Sequence, residues 1–264
     1  MAYDLAFEET FNSEALDPDR WLPYYLPHWS SRERSAARYE IGDGLLRLLI
    51  EADQPPWCPE FDDEIRVSSL QTGAFAGPLG SSMGQHRFNA EARVRETQPN
   101  VRLYTPQYGL IEFRAKVSDD PRTMAAFWMI GYEDESERSA EICICEIFGS
   151  DVGSDRTTIG VGVHPFGDPR IADDFTRVTL PIDAREFHVY TAEWTVDDVA
   201  FFVDGDPVKT VEQSPAYPMQ LMLSIYEFPR SDRDDPTRPY PKAFVVDYVR
   251  GYRPCLPMPG ATIG

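Results

Sequence analysis

The sequence predicts an all-β sandwich, on three observations. Short apolar or alternating runs recur along its 264 residues with turn residues between them. The chain carries 23 prolines and 17 glycines, and aromatic residues make up 12% of it, a composition suited to a turn-rich β protein. No segment shows a convincing helical period, and there is no internal repeat. Strand signals continue without a Ser/Gly-rich linker, so residues 1–264 are expected to form one domain.

In chain order, Glu9-Thr10-Phe11-Asn12 and the segment from Leu16 to Trp21 read as a first strand and a turn carrying a buried Trp. Residues 22–40 are irregular and rich in Tyr, Trp and Arg, as befits a loop over a cleft. Tyr39 to Ile41 and Leu45 to Glu51 bracket Gly42-Asp43-Gly44, a hairpin signal. Residues 53–64 form a proline-rich, acidic loop with Trp57, Cys58 and Phe61. Val67 to Gly73 reads as a strand, and Gly77 to Gly84 as a loop. Strands at 86–95, 108–117, 124–131 and 140–148 follow, the last three central, with 132–139 a solvated charged turn. Strands near 157–164, 176–180, 187–195, 199–204, 219–226 and 243–252 complete the set. Residues 227–242, with Asp232, Asp234 and Asp235, form a long loop on the cleft side.

The strand Ala140-Glu141-Ile142-Cys143-Ile144-Cys145-Glu146-Ile147-Phe148-Gly149 is apolar except for two carboxylates. Burying an unpaired carboxylate is expensive, so Glu141 and Glu146 should face a polar cleft or carry a function. Five residues on a regular strand would put them on opposite faces. One β-bulge returns them to the same face, four ladder steps of about 3.3 Å apart. Side chains leaning toward one another would then bring the carboxyls to about 5–5.5 Å, the separation between nucleophile and acid/base in a retaining glycosidase. The alternative is that both glutamates line a solvated strand face.

The flanking segments carry a resemblance. Glu141 to Glu146 is similar to an E-x-D-x-x-E signature, and Tyr108-Gly109-Leu110-Ile111-Glu112-Phe113-Arg114-Ala115-Lys116 to a Y-G-R-x-E-A-R-x-K strand. Ala126-Phe127-Trp128-Met129-Ile130-Gly131 resembles A-F-W-M-L-G. Phe187 to Thr195 matches F-H-x-Y-x-x-E-W-T, Phe202-Val203-Asp204-Gly205 resembles the W-Y-V-D-G that follows, and Val246 to Tyr252 is close to V-D-Y-V-R-V-Y. In this order the blocks resemble glycoside hydrolase family 16, the laminarinases, lichenases and relatives. The resemblance implies a jelly-roll β-sandwich of the concanavalin A-like kind, with a concave sheet forming the substrate cleft.

It also implies roles. Glu141 would be the nucleophile and Glu146 the acid/base. Trp128 and Trp194 match cleft aromatics on which a pyranose can stack. His164, in Val161-Gly162-Val163-His164, would bond a sugar hydroxyl or the catalytic pair, whereas His188 is expected to be structural. Tyr226 and Glu227 would line the cleft at the end of an inner strand. A structural calcium is frequent in the family, at positions that are Thr10, Gly44 and Asp247 here, oxygen donors suited to a hard cation. No cofactor is expected for catalysis. Three departures stand out: Cys143 replaces the signature Asp, Met124-Ala125 replaces an aromatic W-P pair, and Ser224-Ile225 replaces N-L. A thiol donates only weakly, so Cys143 is counted with the catalytic strand as the residue that tunes it or disables it.

The net charge of −19 argues against nucleic acid or an anionic membrane as a partner, and against polyanionic glycans such as sulfated agar-type galactans or alginate. A neutral polysaccharide or oligosaccharide is indifferent to it. Met1 to Glu8 lacks a basic region followed by an apolar core, which predicts a cytoplasmic protein as written, or a secreted one if a leader was removed. Cys143 and Cys145 are too close along one strand for an unstrained disulfide. Cys58 and Cys255 could pair, but nothing in the sequence joins them. The function expected is a retaining endo-acting hydrolase of neutral β-1,3 or mixed β-1,3/1,4 glucan. The alternatives are a glycan-binding or catalytically impaired protein, because of Cys143, and a transglycosylase.

Overall fold

Alternation decides the architecture. In β7 (Gly109–Lys116) Ile111, Phe113 and Ala115 are fully buried, while Leu110, Glu112, Arg114 and Lys116 are only partly so. Such a strand must press one face against a second layer. The structure, a computed structural model, describes residues 2–229 and 238–255 and supplies that layer as a second antiparallel sheet.

One sheet has eight strands. Along it run β14 (Asp206–Val211), β13 (Val199–Val203), β12 (His188–Trp194), β7, β16 (Lys242–Pro254), β3 (Leu45–Ile50) and β2 (Arg38–Gly42), and β1 (Tyr3–Glu9) also pairs with β16. The other has six, in the order β11 (Asp174–Leu180), β10 (Thr157–His164), β9 (Glu141–Phe148), β8 (Thr123–Gly131), β15 (Met219–Glu227) and β4 (Arg66–Gln71). The main core lies between the sheets, with Phe113, Phe127, Tyr190 and Trp194 among its largest side chains. The result is a jelly-roll sandwich. A short ribbon, β5 (Gly73–Ala74) with β6 (Val101–Arg102), one α-helix of a single turn, Arg32–Ser35, and two 3₁₀ turns, Pro27–Trp29 and Gly149–Asp151, complete the described elements.

A second apolar cluster sits on the outer face of the six-stranded sheet. Loops carrying Tyr25, Trp29, Trp57 and Val94 fold over Trp128, Ile130, Met222 and Tyr226. Those loops wall one side of the cleft.

The Gly42-Asp43-Gly44 hairpin forms as expected, with Asp43 and Gly44 both left-handed (φ 56° and 70°), the backbone that a tight two-residue hairpin turn requires. The first strand is Tyr3–Glu9 rather than 9–12, because Glu9 turns its carboxylate back to accept from the Thr10 and Phe11 N–H groups. No strand forms at 86–95. Its alternation is real, since Ala92 and Val94 are buried and Arg93 and Arg95 exposed, but the backbone bonds locally and to Ser81 while lying across the sheet's outer face. β14 escapes the sequence pattern because it is a polar edge strand containing Pro207. Only residues 134–137 of the 132–139 turn are exposed, while Tyr132, Glu133 and Ser139 are buried, so the turn is solvated only at its tip. Asp232, Asp234 and Asp235 of the 227–242 loop lie outside the described residues. All four cysteines are free thiols, so Cys58 and Cys255 do not pair.

Candidate active site

β9 is flanked by β8 and β10, and its registers fix where each side chain points. Glu141 lies opposite Ile130 and His164, Cys143 opposite Trp128 and Gly162, and Glu146 opposite Ala126 and Gly160. From Ile130 to Ala126 is four steps, so these partners share one face of β8. On β9 the same interval spans five residues, because a bulge inserts one extra between Cys143 and Cys145. Ile144 and Cys145 therefore both enter the main core, between Ile142 and Ile147, which also point inward. Glu141, Cys143 and Glu146 all line a cleft of about 550 Å³ on the sheet's outer face.

The two glutamates sit in different fields. Burial, and then the charge of Glu146, pushes the Glu141 carboxyl up to about 8. No described side chain donates a hydrogen bond to it. Burial also raises Glu146, but His164 and Arg177 oppose the rise. Cys143 spends its weak donor on the Gly160 carbonyl, 3.8 Å away, not on Glu141. Burial lifts that thiol well above its usual range, so it is a neutral neighbour.

The remaining expected residues divide. His164 is in the cleft, its Nδ1 2.6 Å from Asp173 and its ring stacked on Phe175 at 4.7 Å. Tyr226 is there too, edge-on against Tyr25 at 5.5 Å. Trp128 lines the cleft but is only 4% exposed, and its indole N–H donates to the Ser224 hydroxyl at 3.2 Å, so it forms a wall more than an open platform. Trp194 is not a cleft residue. It belongs to the other sheet, faces the main core, and donates to Ser214 at 2.8 Å. Glu227 is not in the cleft either, because it follows Tyr226 and adjacent strand residues point to opposite faces. Its buried carboxylate is held by Arg66, Arg122 and the Tyr240 hydroxyl. His188 is structural as expected, bonded to Asp204 and to the Asp183 carbonyl.

The sequence reasoning missed Tyr25, His86 and Phe166, which also line the cleft. Only the aromatic richness of residues 22–40 hinted at the first.

At the expected calcium position, Asp247 is ion-paired with Arg114, and the Asn12 side chain lies against Gly44. No group of three or more His, Cys, Asp or Glu side chains able to hold a metal occurs among the described residues. The donors of Thr10, Gly44 and Asp247 are hard oxygens of the right kind, but the only carboxylate among them already neutralises a guanidinium.

Comparisons with known proteins agree on the family. The model of "Glycosyl hydrolases family 16" matches residues 102–247. The glucan endo-1,3-beta-glucosidase A1 of Niallia circulans is 23% identical over 95% of this chain, which spans 38% of that protein's length. The solved GlcNAcα1-4Gal-releasing endo-β-galactosidase of Clostridium perfringens is 31% identical over 96% of this chain and 63% of its own, with a TM-score of 0.82. The laminarinase catalytic domain of Thermotoga maritima shares the fold, at a TM-score of 0.67 and 18% identity over 97% of this chain and 100% of its own. A family model matched over more than half the chain, on a strand whose two glutamates share one cleft face, means that this chain belongs to family 16 of the glycosyl hydrolases.

Proposed function

We propose that this chain is an endo-acting β-glycosidase that works with retention of configuration. The bulge at Ile144 is the observation that carries this, since it places Glu141 and Glu146 on one cleft face within electrostatic reach of each other. Glu141 attacks the anomeric carbon while Glu146 gives its proton to the leaving oxygen. Glu146 then takes a proton from water, which releases the sugar from Glu141. His164, oriented by Asp173, braces the acid/base side. The first step needs Glu141 ionised and Glu146 protonated, and the second needs Glu146 ionised to act as base.

For the sugar, two readings have separate support. The β-1,3 or mixed-linkage glucan reading rests on the sequence blocks and on the Niallia relative. A β-galactoside reading is favoured by the higher identity and TM-score of the clostridial endo-β-galactosidase. It also fits the loss of the aromatic W-P pair at Met124-Ala125, where a wall of Met124 and Ala126 now lines the cleft. A reducing-end assay on laminarin, lichenan and a neutral β-galactoside-containing glycan separates them. No turnover on any of these, with binding retained, would favour a glycan-binding protein disabled at Cys143. A product longer than the substrate would favour a transglycosylase.

A further inference from the structure

Beside the cleft, beyond the Glu141 end of β9, lies a second cavity of about 610 Å³. It shares His86 and Phe166 with the cleft and adds Glu133, Ser136 and Ser139. Three non-glycine residues at this junction adopt left-handed backbone: His86 (φ 50°), Glu133 (φ 58°) and Phe166 (φ 44°). They also touch one another. The His86 N–H donates to Glu133 Oε1 at 2.6 Å, and the His86 ring lies 4.4 Å from that of Phe166. Backbone strain of this kind concentrates at functional sites, where the surrounding structure has to enforce it.

What is enforced is a specific display. Phe166 sits on a turn closed by the Asp168 N–H on the Pro165 carbonyl, and Gly167 is pinned by its N–H to the Ser139 hydroxyl at 2.9 Å. The turn holds a Phe that is 46% exposed at the lip between the two cavities. An exposed aromatic face beside polar groups is how proteins hold sugar rings, apolar on one side and wet at the edge. Glu133 is buried, and among the described residues only the His86 backbone N–H meets its carboxylate. The Nδ1 of His86 is buried with no partner among the described residues. The Glu133 carboxyl and the His86 ring thus line this cavity with hydrogen-bonding capacity left unspent among the described residues.

The charge balance selects the ligand class. Asp134 is met by Arg102 and Arg138, and Arg87 at the rim bonds the Ala90 carbonyl. Burial keeps Glu133 neutral near pH 7, its carboxyl raised to about 8. No buried cation is present among these groups to hold an anionic sugar.

We infer that this cavity is an accessory subsite for a neutral pyranose, a branch or terminal residue of the glycan held in the cleft, stacked on Phe166 and hydrogen-bonded by Glu133 and His86. The inference rests on the glycosidase reading, but its test can be scored apart from it. The full chain carrying Glu141→Gln is titrated calorimetrically with laminarihexaose, a mixed-linkage glucan tetrasaccharide and a poly-N-acetyllactosamine oligosaccharide. Phe166→Ala is expected to weaken binding of the tightest of these roughly tenfold, the loss of one aromatic contact. Phe166→Tyr should restore it, and Val196→Ala, an exposed apolar residue elsewhere, should change nothing. Phe166 is half exposed, so the variant should fold, and an unchanged melting temperature checks that. Equal affinities with and without Phe166, or no affinity for any of the three, would overturn the subsite. Turnover by the wild type, measured in parallel, is the separate score: binding that needs Phe166 without turnover keeps the subsite and removes the glycosidase.

Discussion

Glu141 is buried in the cleft wall with no side-chain donor among the described residues, and that sets its chemistry. Its carboxyl, raised to about 8 by burial and by Glu146, gives the alkaline limb of activity a definite place. The working form holds one proton between the two glutamates, so kcat/KM should rise as the first proton leaves and fall as the second is lost. A bell-shaped profile whose alkaline limb lies near 8 is expected, and a profile flat from pH 5 to 9 would contradict it. Glu141→Gln should lower turnover by at least about 10³-fold with little change in oligosaccharide binding, because on the proposed mechanism it removes the nucleophile at nearly constant shape. Cys143→Asp puts a carboxyl where the thiol now faces Gly160. Close carboxylates titrate as coupled groups, so a displaced pH optimum and a faster enzyme are expected. Superimposable pH–rate curves for wild type and variant would show that position 143 does not tune Glu141.

At the scale of elements, β9 and the loops over it explain what could be read from the sequence. The bulge was legible because two glutamates five apart in an apolar strand cannot share a face without one. Trp194 and Glu227 were misplaced for a common reason: a strand residue's face depends on register and on which sheet the strand joins, and a motif encodes neither. The αL residues His86, Glu133 and Phe166 gave no warning, since their conformation is imposed by loops packed on one another. The bulge itself makes a prediction. Deleting Cys145 removes the extra residue and leaves Glu141, Cys143 and Glu146 alternating regularly on the cleft face. That variant should fold and keep turnover above the level of Glu141→Gln. A well-folded deletion with no turnover would show that the twist of the bulge, and not only the face, aims Glu146.

For the whole molecule, two buried carboxyls link stability to pH. Glu133 and Glu141 are both raised from 4.5 to about 8 in the fold. A folded pKa above the unfolded one contributes stability that is complete below about 4.5 and is lost as pH climbs toward 8. Each unit of such a shift is worth about 1.4 kcal/mol. Melting temperature should therefore fall between pH 5 and 8.5, and Glu141→Gln should flatten that fall, standing above wild type at pH 8.5 and converging with it near pH 4.5. Parallel curves would mean that Glu141 is hydrated and unperturbed. The calcium proposal at Thr10, Gly44 and Asp247 predicts that EDTA lowers the melting temperature, by mass action on a native-state ligand. No shift with EDTA or with added calcium would leave Asp247 to Arg114 alone.

The central claim is that Glu141 and Glu146 act as nucleophile and acid/base of a double displacement. It is tested most directly by proton NMR of the first product released from whichever β-linked glycan is cleaved. Two displacements at one carbon restore its configuration, so the β-anomer should appear first and convert to the α-anomer only by mutarotation. An α-anomer formed first would mean a single displacement by water, and would remove Glu141 from the role of nucleophile.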